Sequence, residues 1–251
     1  MANNRVKELW QRGEPAFGAW LSIPSSLSCE AIARAGYDYV CLDLQHGLID
    51  YPDAAEMLVA INSTAATPFV RVPANDFTAI NRALDAGALG IIVPMIHSAD
   101  EARRAVDACL YPPNGSRSYG PVRASITFGP DYFAKANDMV MCVPMIETKD
   151  AVKDIEAIVS LPGVDAVYVG PNDLSLSLGQ SPAADNDGAY KLAYHEIAKQ
   201  CEIAGVVAGI HANAGLVSKH RETGFRMITI SSDTGLLRRG AARDLELAKK
   251  P

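Results

Sequence analysis

The chain has 251 residues, 49% of them hydrophobic and 21% charged, with 23 basic against 29 acidic side chains for a formal net charge of −6. That balance is ordinary for a globular protein and excludes disordered, collagen-like and coiled-coil chains. The acidic excess also argues against a general nucleic-acid binder, which carries a basic stripe. The opening MANNRVKELW has no apolar segment of the secretory type. The longest apolar stretches, Met139–Ile146 and Gly87–Ile96, fall far short of the ~20 residues that cross a bilayer. Five scattered cysteines, Cys29, Cys41, Cys109, Cys142 and Cys201, form no Cys-x-x-Cys pair. A cytoplasmic protein with no membrane or nucleic-acid partner is expected.

In chain order, short apolar runs alternate with amphipathic segments. The runs are Phe17–Ser22, Tyr39–Leu44, Pro68–Val72, Gly90–Met95, Met139–Ile146, Asp165–Val169, Val206–Ile210 and Met227–Ser231. They are rich in Val and Ile and continuous rather than alternating, as parallel strands covered on both faces should be. Between them the pattern predicts helices over Ser26–Ala35, Pro52–Ile61, Phe77–Ala86, Ala99–Cys109, Lys149–Val159, Tyr190–Ala204, Ala214–Glu222 and Leu236–Lys249. Pro52 suits a first helical turn and Ser98 an N-cap. Gly36, Gly87, Gly163, Gly205 and Gly224 each follow a helical pattern and precede a strand, the place of a left-handed stop residue.

Eight strands alternating with eight helices in this length predict a single (β/α)8 TIM barrel over residues 1–251. An open doubly wound sheet is the alternative, but no G-x-G-x-x-G follows the first strand. The interval Tyr111–Asn137, with PPNGSRSYGPVRAS and FGPDYF, is too long for a simple connection and reads as functional.

Barrel active sites lie at the C-terminal strand ends. Those ends carry Trp20 and Ser22, then Asp43, Gln45 and His46, then Arg71, Glu147 and Asp173. Glu147 and Asp173 come from successive strands, ~4.8 Å apart in a sheet. Two carboxylates there either share an oxygen-ligated divalent cation such as Mg2+ or Mn2+, or they cap the following helices or pair with Arg71. His46, three residues after Asp43, is either an oriented base or a rim histidine beside a capping carboxylate. Arg71 among Val, Phe and Pro must meet an anion, from substrate or from the protein. His195 and His220 fall within helical patterns and read as surface residues. His97 and His211 follow strands and are candidates to line the site, though neither has a partner visible in sequence. No predicted strand holds a lysine, which excludes imine-forming aldolase chemistry.

Taken together, FGAWLS, LDLQHG, FVRVP, RALDAGALGIIVPM, YPP-G-RS-GP-RAS, PMIET and GPNDLSLSLG resemble the HpcH/HpaI class II aldolase family, in order from Phe17 to Gly179. The resemblance implies a pyruvate-type barrel and metal-dependent retro-aldol cleavage of 4-hydroxy-2-oxo acids to pyruvate or hydroxypyruvate and an aldehyde. By the same resemblance, Glu147 and Asp173 hold a divalent cation (Mg2+, Mn2+ or Co2+), and His46 paired with Asp43 serves as base. Arg71 stabilises the enolate, and the backbone at Asn172–Asp173 receives the carboxylate of the substrate, with Trp20 and Met145 lining its site. Asp85 matches a position that reaches a neighbouring subunit, and trimers or hexamers are implied. Two positions depart from the family pattern: Met145 stands where many members have glutamine, and Gln45 where an acidic residue is common. Competing readings are an acyl-CoA lyase, an oxaloacetate-type decarboxylase, and a non-catalytic barrel that binds a small acid.

Overall fold

The computed structural model describes residues 4–250; the remaining ends of the predicted 1–251 domain lie outside the described residues. Eight parallel strands close into a barrel in sequence order: β1 (Ala16–Leu21), β2 (Tyr39–Asp43), β3 (Thr67–Arg71), β4 (Gly90–Val93), β5 (Met141–Ile146), β6 (Ala166–Val169), β7 (Val207–His211) and β8 (Met227–Ser232). β1 pairs with β8, so the sheet has no edge. Each strand lies within a few residues of its apolar run, and each predicted helix has a helical counterpart.

All five glycines expected to end helices have positive φ, between 69° and 104°. The left-handed conformation costs glycine nothing because it has no Cβ. Ser98 caps its helix by accepting from the Glu101 N–H, and Pro52 lies in the first turn of the helix Tyr51–Asn62. The segment Lys149–Val159 departs from expectation by splitting at Asp154, whose carboxylate accepts from the Ala99 N–H at 2.6 Å. Ala214–Glu222 opens as a 3-10 turn.

Alternation within the strands sorts the core into two layers. Ala19 and Leu21, Val40 and Leu42, Val70, Ile91 and Val93 face outward under the helices. Ala16 and Trp20, Tyr39 and Cys41, Phe69, Ile92, Val143 and Met145, and Tyr168 face the barrel interior. Rings that large fit only because glycine stands opposite them. A Cβ on Gly18 would fall 2.1 Å from the Tyr39 ring, and one on Gly90 would fall 2.1 Å from Phe69. The phenol oxygens of Tyr39 and Tyr168 both bond Thr229 Oγ1, at 2.9 and 2.5 Å. The interior below the mouth is therefore solid and satisfied.

Four helices were not evident from periodicity. A helix at Arg5–Gln11, capped by Asn4, places Val6 and Leu9 in the interior cluster. The long Tyr111–Asn137 interval carries two helices, Val122–Phe128 and Tyr132–Met139, packed around Tyr111, Ala124, Tyr132 and Ala136. GPNDLS opens the fourth, Pro171–Ser177. The helix Asp233–Ala248 projects: every residue from Leu236 to Lys250 is exposed, including Leu237, Leu245 and Leu247.

Candidate active site

The strand ends that face inward meet in one cleft. Trp20, His46, Arg71, Met145, Glu147, Tyr168, Gly170, Pro171, Asn172, Asp173 and His211 line it, around a cavity of about 140 Å³. That is below the ~300 Å³ where drug-sized ligand pockets begin, so it suits a small acid.

Asp43 and Arg71 are register partners on β2 and β3, so both side chains point into the mouth side by side. Arg71 Nε and Nη2 donate to the two Asp43 oxygens at 2.9 and 2.7 Å. Trp20 Nε1 donates to the same carboxylate at 3.1 Å. Burial alone would push the Asp43 carboxyl up, but the guanidinium and the indole N–H outweigh it and hold it below its ordinary value. The Arg71 guanidinium likewise stays charged because burial is offset by Asp43. Arg71 thus meets an internal carboxylate, Asp43.

Asp43 engages His46 differently from the expected dyad. Its Oδ1 accepts the main-chain N–H groups of Gln45 and His46 at 3.1 and 3.2 Å, fixing the turn. Among the described residues, the imidazole of His46 takes no bond from Asp43 and stands exposed at the rim. The carboxylate is already saturated by Arg71, Trp20 and the two amides.

Glu147 is 1% exposed. Its Oε1 accepts the Met95 N–H at 2.7 Å, and Met95 adopts φ 53° to aim it. A methionine in the left-handed region is strained, and such strain concentrates at functional sites. Glu147 Oε2 is buried with no hydrogen-bond partner. It faces Gly170, where a Cβ would stand only 2.4 Å away. Burial raises the Glu147 carboxyl above its ordinary value, the Met95 N–H offsets part of that, and the Asp173 charge raises it further. An orphaned carboxylate oxygen beside a second carboxylate and a bare glycine fits a divalent cation, with water and substrate completing the shell. Among the described residues no cluster of three or more His, Cys, Asp or Glu side chains is placed to hold a metal. Neither Glu147 nor Asp173 forms an ion pair with Arg71, whose partner is Asp43.

Asn172 and Asp173 are exposed in the first turn of Pro171–Ser177 and line the cleft. Met145, 3% exposed, lines it one inward position below Glu147. Asp85 does not line the cleft of its own chain. It accepts from Arg117 Nη2 at 2.8 Å, and Arg117 also donates to the Tyr132 hydroxyl and stacks on Tyr111.

The histidines divide unexpectedly. His195 and His97 are exposed. His220 is a correction to the surface reading: it is fully buried, with Nδ1 2.9 Å from the Tyr194 hydroxyl. His211, a candidate without a role, and Tyr168, not singled out, both line the cleft. The available signal was the period of two, which turns Tyr168 and Gly170 on β6, and Gly209 and His211 on β7, toward the axis.

Its relatives place this barrel among the carbon–carbon lyases. The chain belongs to the HpcH/HpaI aldolase/citrate lyase family, whose model matches residues 16–240. It is 40% identical over 236 residues to a hydroxypyruvate/pyruvate aldolase of Rhizorhabdus wittichii, covering 93% of this chain and 94% of the relative. It is 37% identical over 243 residues to a 4-hydroxy-2-oxo-heptane-1,7-dioate aldolase of Klebsiella pneumoniae, covering 95% and 91%. A crystal structure of a family member from Burkholderia cenocepacia superposes with a TM-score of 0.92 at 34% identity, covering 99% of this chain and all of that one.

Proposed function

We propose that this chain is a class II aldolase that reversibly cleaves 4-hydroxy-2-oxo acids to pyruvate or hydroxypyruvate and an aldehyde. The observation that carries the reading is the cleft itself: the partnerless oxygen of Glu147 and the pinned guanidinium of Arg71 line one small cavity. A divalent cation held by Glu147 and Asp173, in the form of Mg2+, Mn2+ or Co2+, supplies Lewis acidity toward the 2-oxo acid. Arg71 is fixed by Asp43 and needs no reorganisation to face the oxygen on which enolate charge develops. His46, exposed at the rim, takes the proton of the C4 hydroxyl as the C3–C4 bond breaks, directly or through water. Trp20, Tyr168 and Met145 give the cleft apolar walls, and the main chain at Asn172–Asp173 offers N–H groups to the substrate carboxylate.

The same reading includes a homo-oligomer in the cytoplasm, a trimer or hexamer. Two exposed apolar surfaces support assembly with further copies. One is the leucine-bearing projecting helix Asp233–Ala248; the other joins Tyr119, Val122, Ile126 and Phe133 near Asp85 and Arg117. Such exposure is more than scattered single side chains.

The direct test is a retro-aldol and aldol screen over short 4-hydroxy-2-oxo acids with pyruvate detection, with and without chelator. Metal-dependent turnover is expected. Activity indifferent to chelation, or a covalent pyruvyl adduct trapped by borohydride, would overturn the class II assignment.

A further inference from the structure

β6 lies between β5 and β7, in register through Ile146–Val169 and Val169–Ile210, so Glu147 and Gly170, one residue past their strands, and His211, the last residue of β7, are the next positions along three neighbouring strands. Gly170 contributes no side chain, and His211, Met145 and Glu147 line the same cleft around it. The ring of His211 meets the Trp20 indole edge-on, with centroids 5.1 Å apart and planes at 87°. Trp20 is itself held by Asp43 through its N–H, by Tyr168 through stacking at 5.6 Å, and by Arg71 at 4.9 Å over its ring. The imidazole is thus seated against a rigid wall rather than free at the rim.

Its chemistry is unlike that of its neighbours. Among the described residues its ring nitrogens have no protein partner, and they are not sealed from the cleft. Burial, with a smaller contribution from Arg71, lowers its pKa to about 4, so it is neutral at ordinary pH. A neutral imidazole offers one donor and one acceptor. Trp20 packs against it, the charges of Arg71 and Asp43 reach it, and Tyr168 and Met145, whose thioether is only a weak acceptor, line the same cleft.

We infer that His211 is a specificity-determining residue that reads a hydroxyl group on the substrate, so that the enzyme favours hydroxylated substrates over their deoxy counterparts. The inference rests on the aldolase reading above. The hydroxyl comes from either of two sources, C3 of a 3-hydroxy-2-oxo acid donor or C2 of a hydroxyaldehyde acceptor. A hydroxyl can both donate to and accept from the imidazole, and a methyl or hydrogen in its place leaves the ring unpartnered in a half-buried site.

The experiment compares kcat/KM in two matched pairs: hydroxypyruvate against pyruvate with a common aldehyde, and glycolaldehyde against propanal with pyruvate. His211→Phe keeps a ring against Trp20 but removes both nitrogens. It is expected to lower the hydroxylated-to-deoxy ratio about 10-fold in one pair, and the pair that moves identifies the source. Turnover of the deoxy member should persist. His211→Gln, which restores a donor and an acceptor, should recover part of the lost ratio. Ratios unchanged in both pairs would overturn the inference, as would an equal loss on all four substrates or a glutamine variant no better than phenylalanine. Wild-type protein inactive on every pair with metal present would instead remove the aldolase reading, and this inference with it.

Discussion

Asp43 and Arg71 face each other across adjacent strands in register, and both guanidinium contacts, at 2.9 and 2.7 Å, end on one carboxylate. The pair is buried, so its members cannot be removed independently. Asp43→Asn would leave a buried cation short of its counter-charge, at a cost of about 3–5 kcal/mol in urea unfolding. Arg71→Ala should slow deuterium exchange into the pyruvate methyl group, because enolate charge loses its fixed partner. His46→Ala should lose ~10²–10⁴-fold in aldol cleavage while keeping that exchange. Normal exchange in the Arg71 variant would exclude it as the enolate stabiliser.

Glu147→Gln and Asp173→Asn should each weaken Mn2+ binding by calorimetric titration. Without metal, the Glu147 variant should be no less stable than wild type, since burial already disfavours that charge and an amide removes it. Unchanged Mn2+ affinity in both variants would eliminate them as ligands.

Met145 and Glu147 are two residues apart, and both face the cleft. Met145→Gln introduces a hydrogen-bonding group at that buried wall. The preference for polyhydroxylated over matched apolar aldehydes should shift by roughly 1–3 kcal/mol in kcat/KM ratio. A ratio that does not move would mean that Met145 does not contact the acceptor.

Gly18→Ala tests the interior packing. The added methyl would lie 2.1 Å from the Tyr39 ring, which is fixed by its bond to Thr229. Overpacking of this kind costs about 1–3 kcal/mol, read as a lower Tm. Replacing Tyr39 with leucine in the same chain should recover part of the loss; an unaffected Tm in Gly18→Ala would show that the ring can give way.

Burial lowers the pKa of His220 from 6.5 to about 4. The unfolded chain therefore binds a proton below pH 6.5 that the folded chain refuses until about pH 4. Stability should fall as pH drops through that window, because the unfolded state there holds more protons. His211 has the same sign. His220→Gln should flatten the decline between pH 6.5 and 4 relative to wild type, whatever its absolute stability. Parallel slopes would mean that His220 is charged in the fold.

The barrel was legible because parallel strands buried on both faces leave unbroken Val- and Ile-rich runs, and because five helix stops need glycine. Arg71 and Glu147 stood out as ionisable groups ending such runs. His211 showed only as a histidine after a strand, without a role, and Tyr168 not at all, since a polar residue in a strand reveals its face only when the inward parity is counted from a known neighbour. His220 was misread because its partner, Tyr194, lies 26 residues earlier on another helix. The Asp43–His46 spacing left two readings open, and the structure shows the second, a rim histidine beside a carboxylate that fixes the turn. Spacing shows that the two can meet, but not that Arg71 and Trp20 occupy the carboxylate first.

The filled interior has a consequence for the order of events. Tyr39, Phe69 and Tyr168 close the barrel axis beneath the cleft, so the site is a blind alley with a single doorway. A substrate seated against Glu147 at the closed end is expected to enter before its co-substrate and to leave after it, so product-inhibition kinetics should show an ordered pattern that the ring packing beneath the cleft helps to impose.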